Sequence, residues 1–177
     1  MNYYVAQVRT RSEEKFVSLF RALHPEVGAR FVMHFPKRRL KVKRAGKVCA
    51  SMKAIFPGYV FVEAEDADIR AHFRLFRRTD GFARFLRTNQ DIRPMSGREL
   101  DLIKHFVKKV GPVAGASRVS FDENARIVVA EGPLLGLEGC IIKVDKRKGR
   151  AKVRLDLYGD TFAVDLAFEV LKEPLIK

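Results

Sequence analysis

Cations crowd two stretches of this sequence. Lys37, Arg38, Arg39, Lys41, Lys43, Arg44 and Lys47 stand together with no acidic residue among them, while Lys146, Arg147, Lys148 and Arg150 gather around Gly149, with Lys152 and Arg154 following at alternate positions. A third set, Arg70, Arg74, Arg77 and Arg78, is spaced by 4, 3 and 1, so its first three members share one face of a helix. The chemistry open to such groups is charge-assisted hydrogen bonding to phosphate, with an affinity that falls as salt rises. Arg also reads base edges or stacks on an unpaired base. Lys37, Arg38, Arg39, Arg70, Arg74, Arg77, Arg78, Lys146, Arg147, Lys148, Arg150 and Lys152 are therefore the candidate nucleic-acid contacts. Plainer readings stand beside this one: a solvated face for the helical arginines, and, for the 37–47 run with its Leu40 and Val42, an edge strand protected by charge.

No catalytic constellation accompanies the cations. His24, His34, His72 and His105 are dispersed beside apolar stretches, without the pairing a metalloprotease or zinc site needs, and read as structural. Gly132, Gly136 and Gly139 form neither a phosphate loop nor a dinucleotide fingerprint, since no Lys-Ser/Thr pair follows and the flanking segments read as strands. Cys49 and Cys140 lie outside any paired or metal-ligand spacing and read as reduced and structural. The expectation is a protein that is not an enzyme and holds no metal and no cofactor.

The elements that must carry these cations need a core, and the composition supplies one. Hydrophobic residues make up 47% of the 177 residues, against a formal charge of +14 from 35 Lys and Arg and 21 Asp and Glu. That apolar share argues against disorder and allows one domain or two small ones. The charge is uneven: residues 1–110 hold 24 basic and 11 acidic residues, residues 125–177 hold 10 and 8. Such an excess repels itself in the free protein and points to a polyanionic partner. The longest charge-free run, Ala54 to Val62, is nine residues, short of the ~20 that a membrane helix needs. A soluble, cytoplasmic, unprocessed chain with no membrane partner is expected.

Local pattern places the elements. Tyr3 to Val8 reads as a strand, Ser12 as the cap of a helix carrying Phe16, Phe20 and Leu23, and Phe31 to Pro36 as a second strand. Gly46 suggests a hairpin tip, and Tyr59 to Val62 a buried strand. Ile69, Phe73 and Phe76 predict a second helix opposite its arginines; Phe82 to Leu86 predicts a strand; Ser96-Gly97-Arg98-Glu99 caps a third helix with Leu100, Ile103, Val107 and Val110 on one face. This order is that of an α+β sandwich of the ferredoxin-like kind. Small residues with two Gly and a Pro from Gly111 to Ser117 mark a boundary, giving a domain at 1–110, a linker at 111–124 and a second domain at 125–177. Five short runs there, Arg126–Val129, Gly139–Val144, Ala151–Leu157, Thr161–Asp165 and Glu169–Leu171, predict a small five-stranded β-barrel rather than a helical hairpin.

The segment from Glu131-Gly132-Pro133 through Gly139 to Asp145 resembles a KOW motif, with Gly139 expected at a tight backbone position. With Tyr3-Tyr4-Val5-Ala6-Gln7-Val8 at the start and Phe56-Pro57-Gly58-Tyr59-Val60-Phe61-Val62 in the middle, the chain resembles the NusG family of transcription elongation factors over about Tyr3 to Lys172. Tyr3 stands where family members often have tryptophan. The basic hairpin, the short middle section and the basic turn before Leu157-Tyr158-Gly159 look most like the specialised LoaP antiterminators.

The resemblance implies an N-terminal NGN domain followed by a KOW barrel, acting as a monomer. It implies docking on the clamp helices of bacterial RNA polymerase through an apolar sheet surface, onto which Tyr59, Phe61 and Phe85 carry over as polymerase-binding residues. It further implies processive antitermination, with the basic surfaces meeting an RNA hairpin in the nascent operon leader and DNA of the transcription bubble. A small-subunit ribosomal protein or termination factor Rho is an alternative or additional partner of the KOW domain. Two other readings remain open at this point: a general housekeeping NusG, and a KOW-containing ribosomal or RNA-packaging protein.

Overall fold

The computed structural model describes residues 1–86 and 92–171. In chain order its first elements are β1 (Asn2–Val8), α1 (Glu13–Leu23), α2 (Pro25–Gly28), β2 (Val32–His34), β3 (Lys37–Arg44), β4 (Lys47–Ala54), β5 (Tyr59–Ala64), α3 (Asp66–Arg78), β6 (Phe82–Phe85) and α4 (Gly97–Lys104). A π-helical segment, His105–Val110, is followed by β7 (Val113–Ala114), β8 (Ser117–Phe121), β9 (Ile127–Glu131), β10 (Ile141–Asp145), β11 (Arg150–Leu157) and β12 (Asp160–Val170). The chain divides into two compact units, one of Met1–Phe35 with Phe56–Lys104, the other of Pro36–Ile55 with His105–Lys177. Residues 87–91, and residues 172–177 at the end of the expected second domain, lie outside the described residues.

The first unit is an antiparallel sheet in the order β2-β5-β1-β6 with helices α1 and α3 on one face. Its β-α-β-β-α-β succession and strand order are ferredoxin-like, with a hairpin inserted before β5. Strand alternation sorts the side chains. Ala6 lies opposite Val60 on one side and Phe85 on the other, so these three share the helix-facing side with Tyr4, Val8 and Val62. Phe16 and Phe20 of α1 and Ile69 and Phe76 of α3 close over them. The Phe76 ring is the hub, 4.5 Å from Phe20, 5.2 Å from Phe31 and 5.1 Å from Phe85 by centroids.

The start of α1 departs from the expected cap. Ser12 makes no side-chain capping bond; instead the buried Glu13 carboxylate accepts the Gly58 amide at 2.5 Å and the Arg11 amide at 3.1 Å. The third helix also differs, because α4 widens into the π segment and the side chain fully buried there is Phe106, with Val107 half-buried.

The second unit holds a five-stranded sheet, order β10-β11-β12-β8-β9, and a three-stranded sheet, order β4-β3-β7. The five-stranded sheet curls as a KOW-like half-barrel. Two of the expected five strands, Thr161–Asp165 and Glu169–Leu171, belong to one long strand, β12, whose Val164, Leu166 and Phe168 are buried at alternate positions. The fifth strand is β8, which lies inside the stretch expected as linker and pairs parallel with β12 at Phe168 and Ser117. Gly139 is also corrected. A side chain there would meet nothing within 4 Å, whereas a Cβ on Gly132 would fall 2.7 Å from Ser117 Cα, and one on Gly149 2.7 Å from the Phe168 carbonyl oxygen. Both cysteines are free, but Cys49 is exposed on β4 and so packs in no core.

Candidate nucleic-acid interface

The basic hairpin forms as the sequence suggests. β3 and β4 pair from Lys37↔Ala54 to Arg44↔Lys47, and Ala45 and Gly46 at the tip both have positive φ, as a two-residue turn of the mirror-image type requires. The edge of its sheet is β4; β3 is central, paired on its other side with β7. Arg39 is exposed, while Lys37 and Arg38 are half-buried.

Arg38 serves the fold. Its Nη1 donates to the Asp165 carbonyl at 2.6 Å and lies 4.0 Å from the Asp165 carboxylate. Burial pulls the guanidinium below the ordinary arginine value, and Asp165 works against that shift. Two further contacts tie the hairpin down: Arg150 donates to the Lys41 carbonyl, and Lys41 Nζ lies 3.6 Å from Glu169. We expect Arg38→Met to lower stability by about 1–3 kcal/mol, since it leaves an acceptor of a charged hydrogen bond unpaired. A lowered thermal midpoint together with faster proteolytic nicking near Ala45 is the readout.

The second cluster sits on the turn between β10 and β11, where Lys146, Arg147 and Lys148 are exposed and Arg150 and Lys152 half-buried. Asp145 organises the turn: its Oδ1 accepts the Lys148 amide at 3.0 Å, and Lys148 Nζ lies 3.5 Å from its other oxygen. Lys146 Nζ sits 3.8 Å over the Phe121 ring, and Lys152 Nζ 4.0 Å from Asp165.

Asp145 and Asp66 are held below the usual carboxylate range, Asp145 chiefly by the Lys148 amide and Asp66 chiefly by the Tyr4 hydroxyl, with Asn2 as a second donor at 2.5 Å. A depressed folded value means their stabilisation is complete above the unfolded value of about 3.9 and is lost as pH falls through the lower folded one. Acid unfolding is therefore expected to start at higher pH in Tyr4→Phe, and the Lys148 amide resonance to titrate with a midpoint below that of a free aspartate.

The third cluster lies on α3 as expected. Arg70, Arg74, Arg77 and Arg78 are all exposed, opposite the buried Ile69 and Phe76. Arg77 and Arg78 line a cavity of about 610 Å³ with Arg9 and Asp80. Arg9 itself pairs with Asp80 at 3.4 Å. Sequence reasoning missed Arg9, because nothing in its local spacing places it beside the end of a helix that lies some seventy residues away.

The three aromatics named for a protein partner do not form one patch. Phe85 lies in the helix-facing core, 1% exposed. Tyr59 and Phe61 point to the opposite side of the sheet, paired in register with Gln7 and Val5, and are 4% and 0% exposed. On that side Tyr3 donates to Glu63 at 3.0 Å, and His34 lies 3.2 Å from the same carboxylate.

Among the described residues no group of three or more His, Cys, Asp or Glu side chains is placed to hold a metal ion, and no helix is long and apolar enough to cross a membrane. Comparison with known proteins then places this geometry. The sequence-family model NusG, "Transcription termination factor nusG", matches residues 1–104. The chain is 32% identical over 130 residues to the transcription termination/antitermination protein NusG of Pasteurella multocida, covering 73% of this chain and 69% of that one. To the protein of the same description from Escherichia coli K12 it is 29% identical over 131 residues, 73% and 71% of the two chains. A solved structure described as "Domain interaction in Thermotoga maritima NusG" matches 94% of this chain and 93% of that one, with a TM-score of 0.55 and 18% identity. The chain belongs to the NusG family of transcription termination/antitermination factors, and is not an enzyme.

Proposed function

We propose that the protein is a specialised, LoaP-type NusG factor that rides on bacterial RNA polymerase and promotes processive antitermination after recognising an RNA hairpin in an operon leader. The observation that carries this reading beyond its family is the pair of basic arms, the β3–β4 hairpin and the Lys146–Arg150 turn, held in one compact unit. Cations so concentrated supply phosphate contacts and a salt-dependent affinity. Residues 1–104 supply the polymerase contact in this reading, as an NGN domain whose target is the clamp helices. Tyr59 and Phe61 lie on the sheet face that would meet them; both are buried here, so the contact requires a rearrangement that exposes that face. In this reading Arg77, Arg78 and Arg9, which line one surface cavity, meet bubble DNA.

Comigration of the whole chain with purified bacterial RNA polymerase on a sizing column tests the first half of the proposal. Binding that disappears with polymerase lacking its clamp helices is the expected result. Equal binding by that truncated enzyme, or none by the intact one, overturns the assignment. A general NusG role is the second reading, favoured by the description that the relatives share. It differs in one respect, activity that does not depend on the leader.

A further inference from the structure

We propose that the β3–β4 hairpin and the Lys146–Arg150 turn are the two walls of a single cleft that grips the phosphodiester backbone of one nucleic-acid strand. The Lys41–Glu169 ion pair gates this cleft. The inference rests on the nucleic-acid reading above and specifies the surface, the ligand chemistry and a built-in competitor.

The two walls are about a hundred residues apart in sequence; Arg150 joins them by donating to the Lys41 carbonyl, and Arg38 anchors the hairpin to β12 through the Asp165 carbonyl at 2.6 Å. Between them lies a cavity of about 480 Å³ that Gly115, Ala116 and Phe168 also line. Its cations are Arg39 and Lys41 from the hairpin and Lys146, Arg147, Lys148 and Arg150 from the turn, against Glu169 as the acid among its lining residues. A cavity of that volume has room for a short stretch of one strand's backbone and not for a whole duplex, whose major groove alone is roughly 12 Å wide.

The lining also says which part of the strand is held. Phe168, the aromatic among the lining residues, is 4% exposed and offers no ring for a base to stack on. Beside Leu40, Ala167 and Val170, the lining is the charge of the walls, and charge meets phosphate. Contacts of this kind set position and affinity without reading sequence. Selection among RNAs must then come from other residues, such as the exposed Arg154 of β11.

Glu169 gives the cleft an internal competitor. Its carboxylate holds Lys41 at 3.6 Å, with both side chains largely exposed, so a phosphate entering the cleft must displace it from Lys41 and approach its negative charge. Removing that charge is expected to strengthen binding, an effect that simple damage to the fold does not produce.

The experiment measures affinity of the whole chain for a short labelled oligouridylate and for the matching oligodeoxythymidylate across a range of salt. It compares the native protein with R39Q/K41Q on the hairpin, R147Q/K148Q on the turn, and Glu169→Gln, each checked for a native amide spectrum. Each double variant is expected to weaken binding and to lower the salt slope by about 1.4, two contacts at roughly 0.7 each for a single strand. Glu169→Gln is expected to tighten binding about fivefold. Both results support the cleft, and the tighter oligonucleotide identifies the source of the strand, transcript or displaced DNA.

A hairpin variant with an unchanged slope beside a turn variant with a lowered one overturns the joint cleft and leaves RNA binding by the turn intact. Unchanged slopes in both variants overturn the cleft and move the contact to α3. Binding no tighter in Glu169→Gln overturns the gate. No binding of either oligonucleotide by the native chain overturns the proposal while leaving polymerase binding and readthrough to be judged on their own tests.

Discussion

Gly132→Ala is expected to unfold the five-stranded sheet, whereas Gly139→Ala, seven residues on, leaves it intact. At Gly132 φ is +98°, and a Cβ would fall 2.7 Å from Ser117 Cα and 3.0 Å from Ser117 Oγ. Ser117 has no room to retreat: it is fully buried, and its hydroxyl oxygen accepts the Leu134 amide at 2.9 Å. Backbone strain and overpacking each cost about 1–3 kcal/mol, so the pair costs about 2–6 kcal/mol. That is comparable with the whole stability of a small sheet with a thin core. At Gly139 nothing lies within 4 Å of the added carbon, and the expected change is within about 0.5 kcal/mol. Amide spectra of the two variants decide it: collapse of the β8 and β9 resonances in the first and a native spectrum in the second.

Phe76→Ala carries the largest expected effect in the first unit. The ring is fully buried and touches rings from α1, from the segment before β2 and from β6. Its removal takes away the transfer energy of the side chain and leaves a cavity that these three rings cannot close, a loss of about 3–5 kcal/mol. The chain has no tryptophan, and Tyr3, Tyr4 and Tyr59 fall in this unit against Tyr158 in the other, so tyrosine fluorescence in urea reports chiefly on it. A midpoint close to the native one would show that Phe76 is not the hub of this core. Because Phe85 stacks in the same cluster, Phe85→Ala is expected to fail in the same way, by loss of core rather than loss of a contact surface.

Both results bear on what the sequence disclosed. Helices α1 and α3 were legible because their apolar residues recur at helical spacing, with the arginines of α3 opposite Ile69 and Phe76, and strands β1 and β5 because they are short apolar runs rich in β-branched and aromatic residues. β8 was not legible. Its buried positions include Ser117 and Ser120, polar residues that become core once Ser117 bonds to the Leu134 amide, so a loop-like composition concealed a strand. β12 was read as two strands because Leu166-Ala167-Phe168 is continuously apolar and masks the alternation of Val164, Leu166 and Phe168.

The candidate site was half legible. Each basic cluster announces itself by charge density, and each lies on the element expected for it. What local pattern does not carry is pairing between distant segments. Arg38 meets Asp165 across 127 positions and Arg150 meets Lys41 across 109, so neither the anchoring role of Arg38 nor the presence of Glu169 beside Lys41 was visible. The aromatic triad failed for the opposite reason. Tyr59, Phe61 and Phe85 were grouped by resemblance, and the strand register then assigned Phe85 to the other side of the sheet.

Single-round transcription by purified bacterial RNA polymerase, on a template carrying an intrinsic terminator behind the leader that the protein's own operon supplies, tests the central claim most directly. The protein is expected to raise readthrough on this template and not on one with an unrelated leader, and R147Q/K148Q to lose the difference. Readthrough that is the same with either leader, or termination that the protein leaves unchanged while it binds polymerase, would contradict it.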